Sequence, residues 1–374
     1  MNTNKSLNVL RVVIGLNQGG VQQGVLNLCR SVDPKRYKII ACAIENGGAI
    51  ASEIEKTGSE VLILGHKREP SKTIPTLVKL MRDRKIDIVH ASSYHPSLYA
   101  RVSAILARVP IIISYEHVVF SRNRFWRKII NYFLQYYTHA YTAVGEAVAD
   151  QVQRWYRYPH DKLHVIHNGV DIDRFRPPND RFAAKKSLGL DSKRSVVSMI
   201  CRLDEEKGHQ YLFHAIKSLS NANDIQWLIV GSGRAEAKIK SQADSIGISQ
   251  HLKFLGMRRD IPEILAASDI YAFPTLQDGF PNSLLEAMAA GCAVVASDFS
   301  GNLEVAQHEH NALITPMRDG QAVADAISRL LDDQVLANRL AHQARIDIEQ
   351  GFSLSAYGRK MSFLYDALWQ QYLK

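Results

Sequence analysis

Residues 269–301 read DIYAFPTLQDGFPNSLLEAMAAGCAVVASDFSG, and this stretch decides the fold class. Two short apolar segments, 269–274 and 293–297, enclose a Gly-Phe-Pro turn and an apolar segment of helix length. Short apolar segments bounded by turn residues are typical of buried strands, so the stretch predicts a strand, a turn, a helix and a second strand. Strands that alternate with helices favour the α/β class with parallel sheets.

The same alternation runs through the whole chain and falls into two series. Between them, residues 170–180 are charged, contain two adjacent prolines and lack periodicity, which indicates a linker. We therefore predict two doubly wound, Rossmann-like domains facing across a cleft: residues 1–176, joined by a C-terminal helix at 356–374, and residues 177–355. The predicted strands are 9–16, 38–44, 60–65, 87–91, 110–117, 140–144 and 163–169, then 195–200, 226–231, 252–256, 269–274, 293–297 and 312–315.

Length and composition agree with two globular domains, because 374 residues with 46% hydrophobic content exceed one ordinary domain. No apolar run reaches the roughly 18 residues that a membrane span needs. Arg11 interrupts the first apolar segment, which favours a strand over a signal peptide. The four cysteines are scattered, which indicates a reducing, cytoplasmic setting.

Positive charge is concentrated in the first half of the chain. Residues 1–180 hold 25 Lys and Arg against 15 Asp and Glu, and residues 181–374 hold 21 against 22. The two parts therefore carry +10 and −1, which together give the overall +9. This excess predicts an anionic partner or surface for the first half. The basic residues form no recognised nucleic-acid motif, so we expect no nucleic-acid partner.

Two turns after predicted strands have the chemistry of phosphate sites. Gly19 and Gly20 open a helix whose N–H groups suit a phosphate, although a turn that merely needs glycine explains them equally well. Arg202 and Lys207 could hold a diphosphate, or could pair with the acids of their own loop, 204–206. The Gly-Ser-Gly turn at 231–233 lacks the third glycine of a nicotinamide site.

Asp278 and Glu286 stand on either side of the Gly-Phe-Pro turn. Ser283 and Glu286 have the spacing of a helix capping box, which is a structural explanation for the second acid. It leaves Asp278 unexplained. A carboxylate and the backbone N–H groups at 280–283 suit a polyhydroxylated ring, because the acid accepts from vicinal hydroxyls.

Together these motifs resemble a known enzyme family. The segments HNGVD (167–171), EKG (206–208), VGSG (230–233), FLG (254–256) and the stretch at 269–301 occur in the order and spacing of the retaining nucleotide-sugar glycosyltransferases of family 4. The resemblance covers essentially the whole chain and implies a GT-B fold. It also implies transfer of a sugar from a nucleoside diphosphate sugar, with UDP as the default nucleotide, without metal or other cofactor.

The resemblance further assigns roles to residues of this sequence. Glu286 would bind the donor ribose, and Arg202 and Lys207 the diphosphate, with Gly19 and Gly20 closing over it. The donor sugar would be contacted by His117, by Asp278 in place of the first acid of the family motif, and by backbone donors. The donor-site loops would comprise Met257 and Arg258 beside the base, and Gly279, Phe280, Pro281, Asn282 and Ser283 beside the sugar.

Two residues depart from the family pattern. Asp278 is one methylene shorter than the usual Glu, and Cys201 stands where glycine is common. Two alternatives therefore accompany the transferase: a nucleotide-sugar epimerase of the same fold, and an inactive nucleotide-sugar-binding subunit.

Other features bear on the acceptor. His90 and His95 could line its side, although packing or helix capping explains them as well. The His-Glu-His at 308–310 is interpreted as a solvated loop, and we expect no metal site. Residues 120–141 mix basic and aromatic side chains, which favours an amphipathic helix on an anionic membrane surface over a helix packed on its own domain. A saccharide or lipid-linked acceptor in bacterial envelope polysaccharide assembly would fit, at the inner face of the cell membrane.

Overall fold

The computed structural model of the chain describes residues 5–17, 19–67, 69–117 and 125–374. It divides into two compact units: the first domain, Met1–Gly169 with Leu354–Lys374, and the second domain, Val170–Ser353. The division falls within HNGVD rather than at 176–177, and the C-terminal helix belongs to the first domain. None of the described helices has both the length and the apolar character that crossing a bilayer demands.

The first domain is a seven-stranded parallel sheet in the order β3-β2-β1-β4-β5-β6-β7. Helices cover both faces, so the central strands are buried almost continuously rather than at alternate residues. Its strands are β1 (Leu7–Gly15), β2 (Tyr37–Asn46), β3 (Glu60–Ile63), β4 (Ile88–Ser92), β5 (Ile111–Glu116), β6 (Ala140–Ala143) and β7 (Leu163–Val165). Its first helices are α1 (Gly20–Ser31), α2 (Ala49–Glu55), α3 (Pro70–Asp83), α4 (Tyr94–Ala107), α5 (Phe125–Leu134) and α6 (Glu146–Tyr156).

The second domain is a six-stranded parallel sheet in the order β10-β9-β8-β11-β12-β13. Its strands are β8 (Ser195–Ile200), β9 (Ile225–Val230), β10 (Leu252–Gly256), β11 (Ile270–Phe273), β12 (Ala293–Ser297) and β13 (Leu313–Thr315). Its helices are α7 (Arg181–Ser187), α8 (His209–Ser218), α9 (Glu236–Ser245), α10 (Ile261–Ala267), α11 (Asn282–Ala289), α12 (Ser300–Leu303), α13 (Gly320–Asp332) and α14 (Gln334–Gly351). Helix α15 (Leu354–Leu373) follows and belongs to the first domain.

All thirteen predicted strands are confirmed, as is the doubly wound α/β class. In each sheet the strand order reverses once, between β1 and β4 and between β8 and β11. Ligands of open parallel sheets bind beyond the carboxyl ends of the strands at such reversals. The loops after β1, β4, β8 and β11 are therefore where a binding site is expected.

Helix α15 is held to the first domain by both polar and apolar contacts. The Arg36 guanidinium donates to Asp366 at 2.6 Å, and the Tyr365 ring is fully buried beside Tyr37. At Gly358 the helix passes so close to α1 that an added Cβ would lie 2.2 Å from the carbonyl oxygen of Ser31. The close approach requires glycine at this position.

We predict that Gly358→Ala destabilises the protein by about 2 kcal/mol, because the added methyl group would overpack the contact between α1 and α15. Gly351→Ala is the matched control, since a Cβ there meets nothing within 4 Å at the end of α14. It should leave stability unchanged or raise it by up to about 1 kcal/mol, through helix propensity and chain entropy. Urea unfolding followed by circular dichroism measures both, and equal effects would contradict the contact.

Candidate active site

The reversal of strand order in the second sheet brings Lys207 next to Asp278. Lys207 ends a 3-10 turn after β8, and Asp278 lies in the loop after β11. The two loops are joined by a hydrogen bond from the Leu276 N–H to the Glu206 carbonyl at 2.8 Å. The Lys207 ammonium donates to Asp278 Oδ2 at 2.8 Å and to the Gln277 carbonyl at 3.2 Å.

This ion pair is largely withdrawn from water. Lys207 is 5% exposed, and its ammonium lies 6.0 Å from the centroid of the Phe273 ring. Asp278 Oδ1 accepts from the Gly279 N–H at 2.8 Å, so both carboxylate oxygens have a donor. A desolvated lysine held on two oxygens is a fixed point charge. The hypothesis that Lys207 pairs with the acids of its own loop is wrong.

Arg202 behaves differently, because its guanidinium stays exposed. It contacts Asp204, which is buried, and lies 3.6 Å from Glu206. For this cation the pairing with nearby acids is confirmed. Its side chain is 64% exposed, so the guanidinium remains accessible to an anion.

Close backbone packing explains the glycines of these loops. Gly208 has a φ of 76° and is the N-cap residue of α8, and a Cβ there would lie 1.9 Å from the carbonyl oxygen of Pro274. A Cβ on Gly233 would lie 2.3 Å from the carbonyl oxygen of Leu203. The loop after β9 therefore needs glycine to pack on the loop after β8.

The capping box predicted at Ser283 and Glu286 is wrong. Helix α11 begins at Asn282 with Pro281 as its N-cap residue, and in the described part of the chain no side chain caps it. Ser283 therefore lies inside the first turn, where its hydroxyl accepts from the Tyr271 hydroxyl at 2.8 Å. Tyr271 is fully buried, and no pattern in the sequence singled it out.

Glu286 is a carboxyl group in an apolar setting. Among the described residues, none donates a hydrogen bond to it, and burial raises its pKa to about 7, against a smaller opposing effect of Arg174. Its helix neighbours Leu285 and Ala287 are buried, whereas Glu286 is half-buried. A carboxylate that lacks protein donors can accept hydroxyl groups from a ligand.

In the first domain, the end of β5 carries His117 beside Ser93, which follows β4. Burial lowers the pKa of His117 to about 4, with a further effect of the Arg11 charge, so its imidazole is neutral at pH 7. The ring stacks on Tyr115 at 5.9 Å, and Nε2 lies 3.5 Å from the Ser93 hydroxyl. Ser93 has a φ of 71°, a strained conformation for a residue with a side chain. The sequence gives no sign of it.

Helix α1 begins at Gly20, directly after Gly19, whereas its start was predicted near Val21. No acidic residue lies in its first turn, and no side chain of a described residue caps it. Both glycines are exposed. The N-terminus of this helix therefore retains the properties that suit an anion.

The expectation that His90 lines the acceptor side is wrong. It is 1% exposed in β4, where Nδ1 lies 2.8 Å from the Tyr365 hydroxyl and Nε2 lies 3.1 Å from the Thr142 hydroxyl. It thus joins α15 to the sheet. His95 is half-buried in the first turn of α4, with its ring against Tyr94, and its acceptor role stays a prediction.

The expected backbone donors are fewer than the sequence interpretation assumed. Pro281 has no N–H, and the Asn282 N–H donates to the Phe280 carbonyl at 3.0 Å. The Phe280 ring is buried against Phe352. After β10, Met257 is 65% exposed, as a residue beside a base would be.

Arg258 and the residues at 308–310 take part in ion pairs. Arg258, expected near the base, pairs with Asp260. At 308–310, Glu309 pairs with Arg329 at 2.6 Å, and His310 Nε2 lies 3.2 Å from Asp347. In the part of the chain that the structure describes, no three His, Cys, Asp or Glu side chains gather as a metal site would require.

Comparison with family models matches both halves of the chain. Residues 18–174 match the model described as Glycosyltransferase Family 4, and residues 180–347 match that of Glycosyl transferases group 1. The boundary between the matches lies close to the division of the structure at 169–170. Each model therefore corresponds to one of the two domains.

Similar proteins and structures agree with these matches. The UDP-Gal:alpha-D-GlcNAc-diphosphoundecaprenol alpha-1,3-galactosyltransferase of Escherichia coli is 31% identical over 307 residues, 79% of each chain. The N,N'-diacetylbacillosaminyl-diphospho-undecaprenol alpha-1,3-N-acetylgalactosaminyltransferase of Campylobacter jejuni is 27% identical over 78% of this chain and 79% of its own. The crystal structure of Anabaena HepE with UDP and glucose superposes with a TM-score of 0.85 at 19% identity, over 96% of this chain and all of that one. By family models, sequence identity and fold, the chain belongs to the group 1 glycosyltransferases of the GT-B fold.

Proposed function

We propose that this glycosyltransferase moves a sugar from a UDP-sugar to a saccharide or lipid-linked acceptor in bacterial envelope polysaccharide assembly, with retention of anomeric configuration. The names of the E. coli and C. jejuni relatives specify undecaprenol-linked acceptors, and that of the E. coli enzyme specifies UDP-Gal. The HepE complex contains UDP and glucose. These properties of similar proteins support the substrate class, and retention rests on the family resemblance.

The observation that carries the proposal is the buried ion pair of Lys207 and Asp278 at the strand reversal of the second sheet. When the glycosidic bond breaks, negative charge develops on the leaving diphosphate. A lysine already desolvated and fixed in place stabilises that charge with little reorganisation. Arg202, accessible from solvent, would supply a second cation and a bidentate contact. These protein cations would neutralise the diphosphate without a metal ion.

The remaining donor contacts follow from the same chemistry. Glu286 would accept hydrogen bonds from the ribose hydroxyls, for which it lacks competing protein donors. His117, neutral at pH 7, would hydrogen-bond the donor sugar without adding charge. Asp278 differs from the family expectation, because both its oxygens already have donors. We assign it the role of positioning Lys207 rather than binding the sugar.

Release of nucleoside diphosphate provides the test of this function. The purified chain is incubated with a panel of nucleotide sugars and a lipid extract from a bacterial envelope, with and without EDTA. We expect UDP release that depends on the lipid extract and survives EDTA, and a product whose anomeric configuration, measured by NMR, matches the donor. Isomerised donor would instead identify an epimerase. Binding without release on any donor would identify an inactive subunit.

A double-mutant cycle tests whether Asp278 acts through Lys207. Lys207→Gln should lower kcat/KM about 100-fold, the usual effect of removing one group that stabilises developing negative charge. Asp278→Asn should lower kcat/KM as well. The double variant should have a kcat/KM no lower than that of Lys207→Gln alone, because both substitutions disrupt the same Lys207–Asp278 pair.

The matched control for this cycle is the pair of Lys238 and Glu205, also 2.8 Å apart but exposed at the surface of the same domain. Lys238→Gln and Glu205→Gln should each change kcat/KM by about twofold at most, since exposed ion pairs contribute little. Additive losses at Lys207 and Asp278 would mean that Asp278 contacts the substrate independently.

The pH dependence of stability tests the setting of Glu286. Its folded pKa, about 7, lies above the ordinary value of 4.5, so the folded protein binds the extra proton between these values. Stability from this group is therefore present at pH 4.5 and is lost as the pH rises to 7. Glu286→Gln should stabilise the protein by on the order of 2 kcal/mol at pH 8 and have little effect at pH 5.

The same variant should bind UDP more weakly, because an amide replaces the carboxylate that accepts from ribose. Wild-type affinity for UDP should fall more steeply than that of Glu286→Gln as the pH drops below 7, because protonation of Glu286 adds to the protonation of the UDP phosphate that affects both proteins. Calorimetric titration and thermal unfolding measure the two effects. Glu263→Gln, an exposed glutamate in the same domain, is the control and should change neither. Unchanged UDP affinity in Glu286→Gln would remove the ribose contact from the proposal.

A further inference from the structure

Helix α5 and the turn after it expose a row of large apolar side chains on the first domain. Phe125, Ile129, Tyr132, Phe133 and Tyr136 are 76%, 44%, 56%, 62% and 66% exposed. Their spacing places them on one side of the helix, and we call this row the aromatic stripe. A contiguous exposed apolar patch of this kind marks an interaction site rather than ordinary surface.

The opposite side of α5 is fixed to the domain, so the stripe is held in place. Asn131 and Leu134 are buried, and Asn131 Oδ1 accepts from the Arg101 guanidinium. The Arg127 guanidinium lies over the Tyr94 ring, 4.2 Å from its centroid. Because 127, 131 and 134 share the inner side of the helix, the stripe is directed away from the domain.

The side chains of the stripe have apolar bodies and polar tips. The Tyr132 and Tyr136 rings are 5.8 Å apart, and their hydroxyls are hydrogen-bonded at 3.2 Å. Trp126, 42% exposed, borders the stripe. Tyrosine and tryptophan of this type are enriched where a protein meets both the acyl chains and the headgroups of a membrane.

The chain segment that forms the stripe carries basic residues and no acidic ones. No Asp or Glu occurs between Glu116 and Glu146, whereas this segment contains Arg127 and Lys128. At 100° per residue, Lys128 flanks the stripe on the side away from Trp126. Residues 1–180 as a whole carry the excess of +10. Such a surface attracts anionic lipid headgroups over a range of about 10 Å.

The same charge argues against a second copy of this chain as the partner. In a symmetric dimer each patch meets its own equivalent, so the Lys128 flanks of the two copies would approach each other with no acid from this segment to pair with them. An anionic lipid surface supplies the complementary charge together with an apolar layer for the rings.

We propose that the aromatic stripe docks the protein on an anionic lipid surface, with its rings at the boundary between headgroups and acyl chains and Lys128 among the phosphates. This docking is independent of the donor and of the Lys207 site. It would deliver the first domain to acceptors that are anchored in the same surface.

Vesicle binding tests the proposal with lipids that contain no acceptor or donor. We expect the wild-type chain to co-sediment with vesicles of equal parts phosphatidylglycerol and phosphatidylethanolamine, and much less with phosphatidylcholine vesicles or at high salt. The triple variant Phe125→Ser, Ile129→Ser and Phe133→Ser should bind about tenfold or more weakly, because these side chains supply the buried apolar area. Lys128→Glu should bind anionic vesicles about tenfold or more weakly, because it removes one positive charge, which contributes about 1 kcal/mol near the surface, and adds a negative one.

The matched control replaces three exposed apolar residues elsewhere on the first domain, Ile63, Leu106 and Phe363, by serine. They are 52%, 54% and 78% exposed, and their loss should leave vesicle binding and thermal unfolding unchanged. Absence of wild-type binding, or equal losses in the two triple variants, would overturn the proposal. So would a wild-type dimer that the stripe variant converts to monomer while vesicle binding is unaltered. Each of these outcomes would contradict the docking proposal without changing the result expected in the transferase assay.

Discussion

Backbone-to-backbone packing at the carboxyl end of the second sheet is the constraint on which the candidate site depends. Gly208 lies against the Pro274 carbonyl, and Gly231, with a φ of 134°, lies against the Cys201 carbonyl, where a Cβ would be 1.9 Å away in each case. Only glycine permits these approaches, which draw the loops after β8, β9 and β11 together. Because the loops are so close, the Lys207 ammonium can reach Asp278 across them.

The site holds ionisable groups where folding alone would not place them. Lys207 is buried and needs an acid, Glu286 is half-buried with no donor among the described residues, and burial keeps His117 neutral. Groups with perturbed pKa or charge are concentrated at functional sites, because a charged or hydroxylated ligand replaces the polar interactions with water that burial removed. The Lys207 pair also accounts for the shorter acid: a carboxylate at 278 that bonds the next N–H and the lysine does not have to extend to a sugar.

Several sequence interpretations failed for a shared physical reason. His90 ends an apolar segment, but in the sheet its ring lies between α15 and β6, some 275 residues from Tyr365 in sequence. Ser283 has capping-box spacing, yet the buried Tyr271 hydroxyl bonds to it and the N-cap lies two residues earlier, at Pro281. Both the burial of His90 and the start of α11 depend on contacts between segments that are distant in sequence. The spacing of residues along the chain does not encode such contacts. For α5, by contrast, the basic and aromatic composition was visible in sequence, and only the packing of Asn131 and Leu134 shows which side is exposed.

The sequence by itself determined the class of the protein: thirteen strands, the parallel α/β architecture, the family motifs and the uneven charge follow from hydrophobic periodicity, turn residues and composition, which are local properties. Only the tertiary structure decided the order of strands, and with it the reversal that brings Lys207 to Asp278 and the pairing of β4 with β5 that brings Ser93 to His117. It also decided which acids lack donors and which aromatic side chains remain uncovered. Those outcomes depend on what packs against each side chain, and packing partners come from parts of the chain that are far apart in sequence.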